Sequence, residues 1–414
     1  MKKTFEGSPK FLLHGISGVF NYGCEAIVRT TVDILKEQWP ECHIAYASRR
    51  PKQDGLVLED CDLEIIDNRI PNFSSPTRLL NSYYARFGRP EGWIAFDKKA
   101  LSGTYDYLVS IGGDIFTLRR PSASKKVAIY PVDCANWVMD HGKKYVLWGA
   151  SVGPYDSWPE SIPVFKKFLS RCELITAREP ETVRYLSKLG ISSNVTAVAD
   201  PAFLLPAQFI EQDWPFGNDM TPVLGMNLSP LASTFASSGT EQFLNIQVEM
   251  VIKVVDALGV NVLFIPHVIA SQVTDDDYRT MHRIHQSLPE HIAQKVRLLP
   301  PHLGAMRTKG MIQHCDALIA ARMHCCIAGV SSGTPTLFLS YSRKSVGMAE
   351  YVYGNSLWVY KVEEFYRSPD IAKLATVLQT SKEMRSFLNG SKERFVADAR
   401  LAGTALKRSI SANQ

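Results

Sequence analysis

Asp316-Ala317-Leu318-Ile319-Ala320-Ala321-Arg322-Met323-His324 is a short apolar run that ends abruptly in two side chains able to carry positive charge. Residues 317–321 have the length and bounding polar residues of a buried strand. The small residues of 325–332 suit a helix packed closely on a sheet. Gly333 stops that helix, and Pro335 opens Thr336-Leu337-Phe338-Leu339-Ser340 as the next strand. Strand, helix, strand is the repeating unit of a parallel α/β sheet. Arg322 and His324 thus stand at a strand-to-helix turn, where free backbone N–H groups and the helix dipole favour an anion. The dipole is worth roughly 0.3–1 kcal/mol, so side chains must supply most of the recognition. A surface arginine and a core histidine meeting by chance at a turn would look the same locally. Lys344, delivered by the following strand in Ser340-Tyr341-Ser342-Arg343-Lys344, favours an anion pocket.

The same alternation runs outward in both directions. In the first half, strands are expected at 11–16, 43–47, 63–66, 107–111, 145–148, 174–176 and 195–198, with helices at 24–37 and 181–189. The second half restarts with strands at 223–227, 261–266 and 296–299 and helices at 241–258 and 276–286. Residues 72–97, rich in aromatics and arginines without a clean period, read as an excursion. Asp213-Trp214-Pro215-Phe216-Gly217-Asn218-Asp219, inside 206–222, reads as an interdomain linker. The expectation is an α/β protein of two doubly wound Rossmann-like domains facing a cleft. They cover 1–210 and 220–360, followed by charged C-terminal helices over 361–414. Ligands of such sheets bind beyond the carboxyl ends of the strands.

A chain of 414 residues exceeds one ordinary core, so two domains agree with its size. Hydrophobic content of 45% and charged content of 21% mark a globular protein that keeps its surface wet. A net charge of +5 without a Lys/Arg block interleaved with aromatics argues against nucleic acid. It is compatible with acidic substrates and with weak peripheral attraction to an anionic membrane surface. The eight cysteines show no C-x-x-C spacing and fall mostly in apolar segments, as reduced thiols of a cytoplasmic protein do. The N-terminus lacks the apolar core of a signal peptide, and no run approaches the ~20 apolar residues of a membrane span. No internal repeat or low-complexity tract stands out.

Further strand ends carry glycines or charge. His14-Gly15-Ile16-Ser17-Gly18-Val19-Phe20-Asn21-Tyr22-Gly23 opens the first helix, but its spacing is not the dinucleotide fingerprint. Ser110-Ile111-Gly112-Gly113-Asp114 and Trp148-Gly149-Ala150-Ser151-Val152-Gly153-Pro154 are two more, and three in one half suggest that it lines a cleft. Arg178, in Thr176-Ala177-Arg178-Glu179-Pro180, is equally readable as an anion contact or as half of a surface pair. Asp200 can position a neighbour, and His267 closes another strand. Asp275-Asp276-Asp277 imitates a metal-holding D-x-D, but a helix N-cap with first-turn acids accounts for it more simply, so no metal is expected.

Taken in order, Asn21-Tyr22-Gly23-Cys24-Glu25-Ala26, Gly112-Gly113, Gly149 to Pro154, Ala177-Arg178-Glu179, Ala199-Asp200-Pro201, Arg322-Met323-His324 and Tyr341-Ser342-Arg343-Lys344 resemble the polysaccharide pyruvyl transferase family. Members usually carry Asp where this chain has Cys24, and often a third glycine in place of Asp114. The resemblance implies a fold like the GT-B glycosyltransferases and a transferase that uses phosphoenolpyruvate as substrate, with no cofactor. It would attach the pyruvyl group as a ketal to two hydroxyls of one sugar in a cell-surface glycan, a cell-envelope exopolysaccharide, or its precursor. The acceptor would be a saccharide, free or lipid-linked. The protein would then be cytoplasmic, with the inner face of the membrane as its workplace where the acceptor is lipid-linked.

On this resemblance Arg178, Arg322 and Lys344 are expected to bind the donor and His324 to move protons. Asn21, Glu25, Gly112, Gly113 and Asp114 would line the acceptor side, in the N-terminal domain, with the donor on the C-terminal one. The rival expectation is a GT-B glycosyltransferase with a nucleotide-sugar donor. A third is a saccharide-binding protein without catalysis. Neither resemblance nor composition speaks to oligomeric state.

Overall fold

The apolar runs at 11–13, 107–110, 174–177 and 317–320 become strands buried along their length. The computed structural model describes residues 8–68, 104–118, 125–230, 240–270, 275–340 and 343–412; the expected excursion at 72–97 lies outside them. By its contacts the chain forms two units. The first is Met1–Val19, Ile27–Pro201 and Ala397–Gln414; the second is Phe20–Ala26 with Ala202–Val396.

The first unit holds β1 (Lys10–His14), β2 (His43–Ser48), β3 (Glu64–Asp67), β4 (Tyr107–Ser110), β5 (Lys144–Ala150), β6 (Leu174–Ala177) and β7 (Val195–Ala197). They form one sheet in the order β3-β2-β1-β4-β5-β6-β7. Its helices are α1 (Tyr22–Gln38), whose first residues belong to the second unit, α2 (Pro51–Val57), α3 (Lys125–Asp140), α4 (Ile162–Arg171) and α5 (Pro180–Lys188). The second unit holds β8 (Val223–Asn227), β9 (Asn261–Phe264), β10 (Val296–Leu298), β11 (Ala317–Ala320), β12 (Thr336–Ser340) and β13 (Val359–Lys361), ordered β10-β9-β8-β11-β12-β13. Its helices begin with α6 (Thr240–Leu258), α7 (Asp277–Gln286), α8 (Glu290–Ala293), α9 (Ala305–Gln313), α10 (Met323–Ser332) and α11 (Arg343–Tyr353). Then follow α12 (Val362–Arg367), α13 (Ile371–Gln379), α14 (Ser381–Gly390) and α15 (Lys392–Ala412), which ends in the first unit.

All strand pairs within the two sheets are parallel. Parallel strands need a crossover helix, which covers both faces and explains why β1, β4, β6, β8, β9 and β11 read as continuous apolar runs. Phe165, Phe168 and Leu147 pack within the first core; Val251, Val254, Phe264 and Phe365 pack within the second. Each such side chain contributes roughly 1.5–3 kcal/mol on burial. The strand order reverses between β1 and β4 in one sheet and between β8 and β11 in the other, the switch points where α/β sheets receive ligands.

The small-residue reading of α10 has a concrete cause. A Cβ on Gly329 would stand 2.3 Å from Thr336 Oγ1 and 2.6 Å from Leu318 Cδ2, so only glycine lets the helix lie this close to β11 and β12. Gly333 ends it in the left-handed region at φ 84°. The edge strand β13 was not foreseen, since three residues, two half-buried and one exposed, carry no period.

The turn-rich 206–222 is not slack. Gln208 N donates to Met306 O at 3.0 Å, Phe209 stacks on His314 at 3.4 Å, and Asp213 pairs with Arg307. Lys309 donates to Leu205 O at 2.6 Å from a buried position. Burial, reinforced by the charge of Lys392, lowers the Lys309 pKa from 10.5 to about 7. In the unfolded chain the amine stays protonated up to its ordinary value, so the cost of burying the charge is fully present below pH 7 and fades towards 10.5. Lys309→Met is therefore expected to raise the melting temperature by a few degrees in mildly acidic buffer, with the gain shrinking as pH rises. Thermal melts across that range check it; a variant less stable than the parent in acid would contradict it.

Candidate active site

The second unit assembles a buried polar cluster at its switch point. Asn227, the last residue of β8, is fully buried and serves three partners. Its Oδ1 accepts the backbone N–H of Arg322 at 2.9 Å, and its Nδ2 donates to Ile265 O at 2.9 Å and to Asp277 Oδ2 at 3.2 Å. The strand end thereby fixes where α10 begins. Arg322 occupies the N-cap position of α10 with an extended backbone, and its side chain turns towards the start of α7.

There its Nε lies 3.1 and 3.3 Å from the two oxygens of Asp277, and its Nη2 lies 2.7 Å from Asp277 Oδ1 and 2.7 Å from Asp275 Oδ1. Asp277 also accepts the backbone N–H groups of His267 and Val268, each at 3.1 Å. A buried ion pair is tolerable only when its remaining lone pairs are filled, and these are. Burial alone would lower the Arg322 pKa; the Asp277 and Asp275 carboxylates outweigh it and hold the guanidinium above its ordinary value. Asp276 is the N-cap of α7, accepting from Arg279 N at 2.9 Å. The acidic triplet thus divides its labour, one residue capping and two holding Arg322. Among the described residues no group of three His, Cys, Asp or Glu side chains is arranged to hold a metal ion.

His324 sits in the first turn of α10, half-buried, against a stretch from the far end of the sequence. Ile269 N donates to Phe20 O at 3.0 Å, Asn21 bridges Val268 in antiparallel fashion, and Tyr22 N donates to His267 O at 3.0 Å. Asn21 Oδ1 accepts Gly23 N at 2.9 Å and so caps α1. Glu25, buried, accepts from Ala305 N at 2.9 Å and so caps α9 from 280 residues away. These attachments press Gly23 onto His324. A Cβ there would lie 2.4 Å from both Cγ and Nδ1 of the imidazole. Gly23→Ala is expected to displace the ring and lower turnover at least tenfold, because misplacing a reacting group by about 1 Å costs on the order of 10²-fold. Unchanged kcat in the purified variant would show that the seat does not matter.

His267 lies buried beside these groups, edge-on to Tyr22 at 5.7 Å. Burial, then the charges of His324 and Arg322, lower its pKa to about 3, so it stays neutral at any working pH. It was noted from its place at a strand end; its contacts with Tyr22 and Asp277 could not be.

The first unit gathers a second set. Arg178, buried at the exit of β6, donates from Nη1 to Asp200 Oδ2 at 2.7 Å, from Nη2 to Asp114 Oδ1 at 2.9 Å and from Nε to Ser151 Oγ at 3.2 Å. All three of its nitrogens serve the protein itself. Gly113 must be glycine because a Cβ would meet Nη1 at 2.5 Å, and Gly112 because one would meet Gly15 O at 2.6 Å. Asp114 is thus a partner of Arg178 as well as a cleft candidate. His14, buried at the end of β1, has its pKa pushed down to about 4 by burial.

Of the expected site residues, Gly112, Gly113, Asp114 and Arg178 come together in the first unit, and Arg322 and His324 in the second. Asn21 and Glu25, grouped by sequence with the N-terminal domain, join the second unit instead, because their partners are Gly23 beside His324, Val268 and the start of α9. Lys344 falls in the first turn of α11, and its side chain lies outside the described residues. Sequence reading missed the roles of Asn227, Asp275 and Asp277. A signal existed for the last: Asp277, Met281 and Ile284 are the buried residues of α7, a helical spacing that places the acid on the inward face.

The family profile described as polysaccharide pyruvyl transferase matches residues 21–343. Over 408 residues the chain is 22% identical to the amylovoran biosynthesis protein AmsJ of Erwinia amylovora, covering 91% of this chain and 93% of that protein. Among solved structures it is similar to a UDP-GlcNAc 2-epimerase from Neisseria meningitidis bound to UDP-GlcNAc, with TM-score 0.57 and 12% identity over 97% of this chain and 98% of that one. It is also similar to Anabaena Alr3699/HepE in complex with UDP and glucose, with TM-score 0.54 and 12% identity over 98% of this chain and all of that one (100%). At such identities the likeness is one of fold, the two-sheet α/β architecture of GT-B glycosyltransferases and epimerases.

Proposed function

This chain belongs to the polysaccharide pyruvyl transferase family, and we propose on that premise that it transfers the pyruvyl group of phosphoenolpyruvate to two hydroxyls of one sugar, forming a ketal and releasing inorganic phosphate. The sugar belongs to an exopolysaccharide or its precursor, as the amylovoran relative suggests. The observation that carries the reading is the seating of His324 against Gly23, at the N-terminus of α10 and two residues beyond the charged Arg322.

The chemistry needs few parts. A proton reaches the methylene carbon of phosphoenolpyruvate, and the adjacent carbon gains cationic character. One sugar hydroxyl adds there, the second displaces phosphate, and the two hydroxyl protons end on the new methyl group and on phosphate. His324 is the group assigned to shuttle these protons. Arg322 grips an anionic group of the donor, and the N-terminus of α10 supports it. Lys344, in the first turn of α11, is the remaining donor-side candidate and would act as a point charge.

No described helix is long and apolar enough to cross a membrane. A cytoplasmic enzyme meeting a lipid-linked saccharide at the membrane surface fits this chemistry, since the donor is a cytoplasmic metabolite. The test is to incubate the protein with phosphoenolpyruvate and a panel of saccharide acceptors, following phosphate release and product mass. Phosphate released only with acceptor present, together with a product heavier by the pyruvate ketal, is the expected result. Consumption of a nucleotide sugar with phosphoenolpyruvate inert would replace this reading by glycosyl transfer.

A further inference from the structure

We propose that Asp275 sets donor affinity by holding, in the unliganded protein, the position on Arg322 that an anionic oxygen of the donor takes. This inference rests on the donor-binding role given to Arg322 above.

The two carboxylates on Arg322 differ in kind. Asp277 has a fully buried side chain, 0% exposed, and it also accepts from His267 N, Val268 N and Asn227 Nδ2. It cannot leave without stranding three buried donors. Asp275 is 43% exposed, and among the described residues its carboxylate accepts from Arg322 alone. One carboxylate belongs to the frame, whereas the other can swing into water at little cost.

The donor geometry shows what Asp275 blocks. Asp277 takes the side edge of the guanidinium, the Nε–H and one N–H of Nη2. The second N–H of Nη2 goes to Asp275. Nη1 donates to no acceptor among the described residues. The end edge, made of Nη1 and Nη2, is the remaining edge on which a planar carboxylate or a phosphate can bind with two parallel hydrogen bonds. Half of it carries Asp275. An incoming anion must therefore displace that carboxylate, and until it does the Arg322–Asp277–Asp275 group carries one net negative charge. The apparent affinity is weakened by the fraction of molecules in which Asp275 is in place. Arg178 repeats the pairing of a buried with a half-exposed partner, Asp200 at 0% and Asp114 at 34%, but there Ser151 takes the Nε.

The test is calorimetric titration of phosphoenolpyruvate into the parent, Asp275→Asn and Asp275→Ser proteins. Both variants should fold with an unchanged melting temperature and bind about five- to tenfold more tightly, as expected when an exposed competing charge is removed. Titrations with pyruvate and with inorganic phosphate identify the docking group, since the gain should follow whichever group takes the end edge. No gain for any of the three ligands, or weaker binding in both variants, would overturn the proposal. A parent protein that makes ketal while the variants gain nothing sinks the Asp275 role alone. A parent that binds no phosphoenolpyruvate sinks the functional reading and this inference with it.

Discussion

His324→Ala is expected to lower kcat by about 10²–10⁴-fold, the usual contribution of a positioned proton-transfer group, while donor binding survives within roughly tenfold. The asymmetry follows from the geometry. Donor affinity is assigned to Arg322 and the start of α10, which alanine at 324 leaves in place because Asn227 anchors the backbone at Arg322. Phosphate release under saturating donor and acceptor reads the first quantity, and calorimetric titration reads the second. A purified variant with full turnover would remove His324 from the mechanism. Loss of binding with normal kcat would instead make it a donor contact.

Asp277→Ala should have the largest effect on stability. It leaves the buried Arg322 with only an exposed partner and strands the N–H groups of His267 and Val268 and one donor of Asn227. Removing one member of a buried, hydrogen-bonded ion pair costs about 3–5 kcal/mol. Denaturant unfolding measures it. A loss below about 1 kcal/mol would mean that the cluster is rebuilt around water and is not held by this carboxylate. Donor binding should collapse in parallel, because Arg322 loses the partner that fixes its orientation. The contrast with Asp275→Asn, two residues away, separates a frame residue from a competitor for the donor.

The strands of the second unit were legible to within a residue in places: 223–227 and 336–340 coincide with β8 and β12. Parallel strands buried on both faces must be apolar throughout, and that demand is written in consecutive letters. The turn bearing Arg322 and His324 was legible for the same reason. What surrounds it was not. Glu25 meets Ala305 across 280 positions, Arg322 meets Asp277 across 45 and Arg178 meets Asp114 across 64. Such partnerships are fixed by the packing of strands and loops within each unit, and no local period announces them. Arg178 illustrates the consequence. As a letter at a strand exit it read equally as an anion contact or as half of a surface pair; in the fold it is a buried brace among β4, β5 and β6.

The second unit borrows Phe20–Ala26 from the opposite end of the chain, and this limits how such proteins can recombine. A crossover between relatives anywhere between residues 27 and 201 would join one parent's histidine to the other parent's Gly23 and Glu25. The inheritable module of the proposed proton-transfer centre is therefore discontinuous. Chimeras that exchange everything after residue 201 should regain full turnover only when they also carry the seven-residue segment from the same parent.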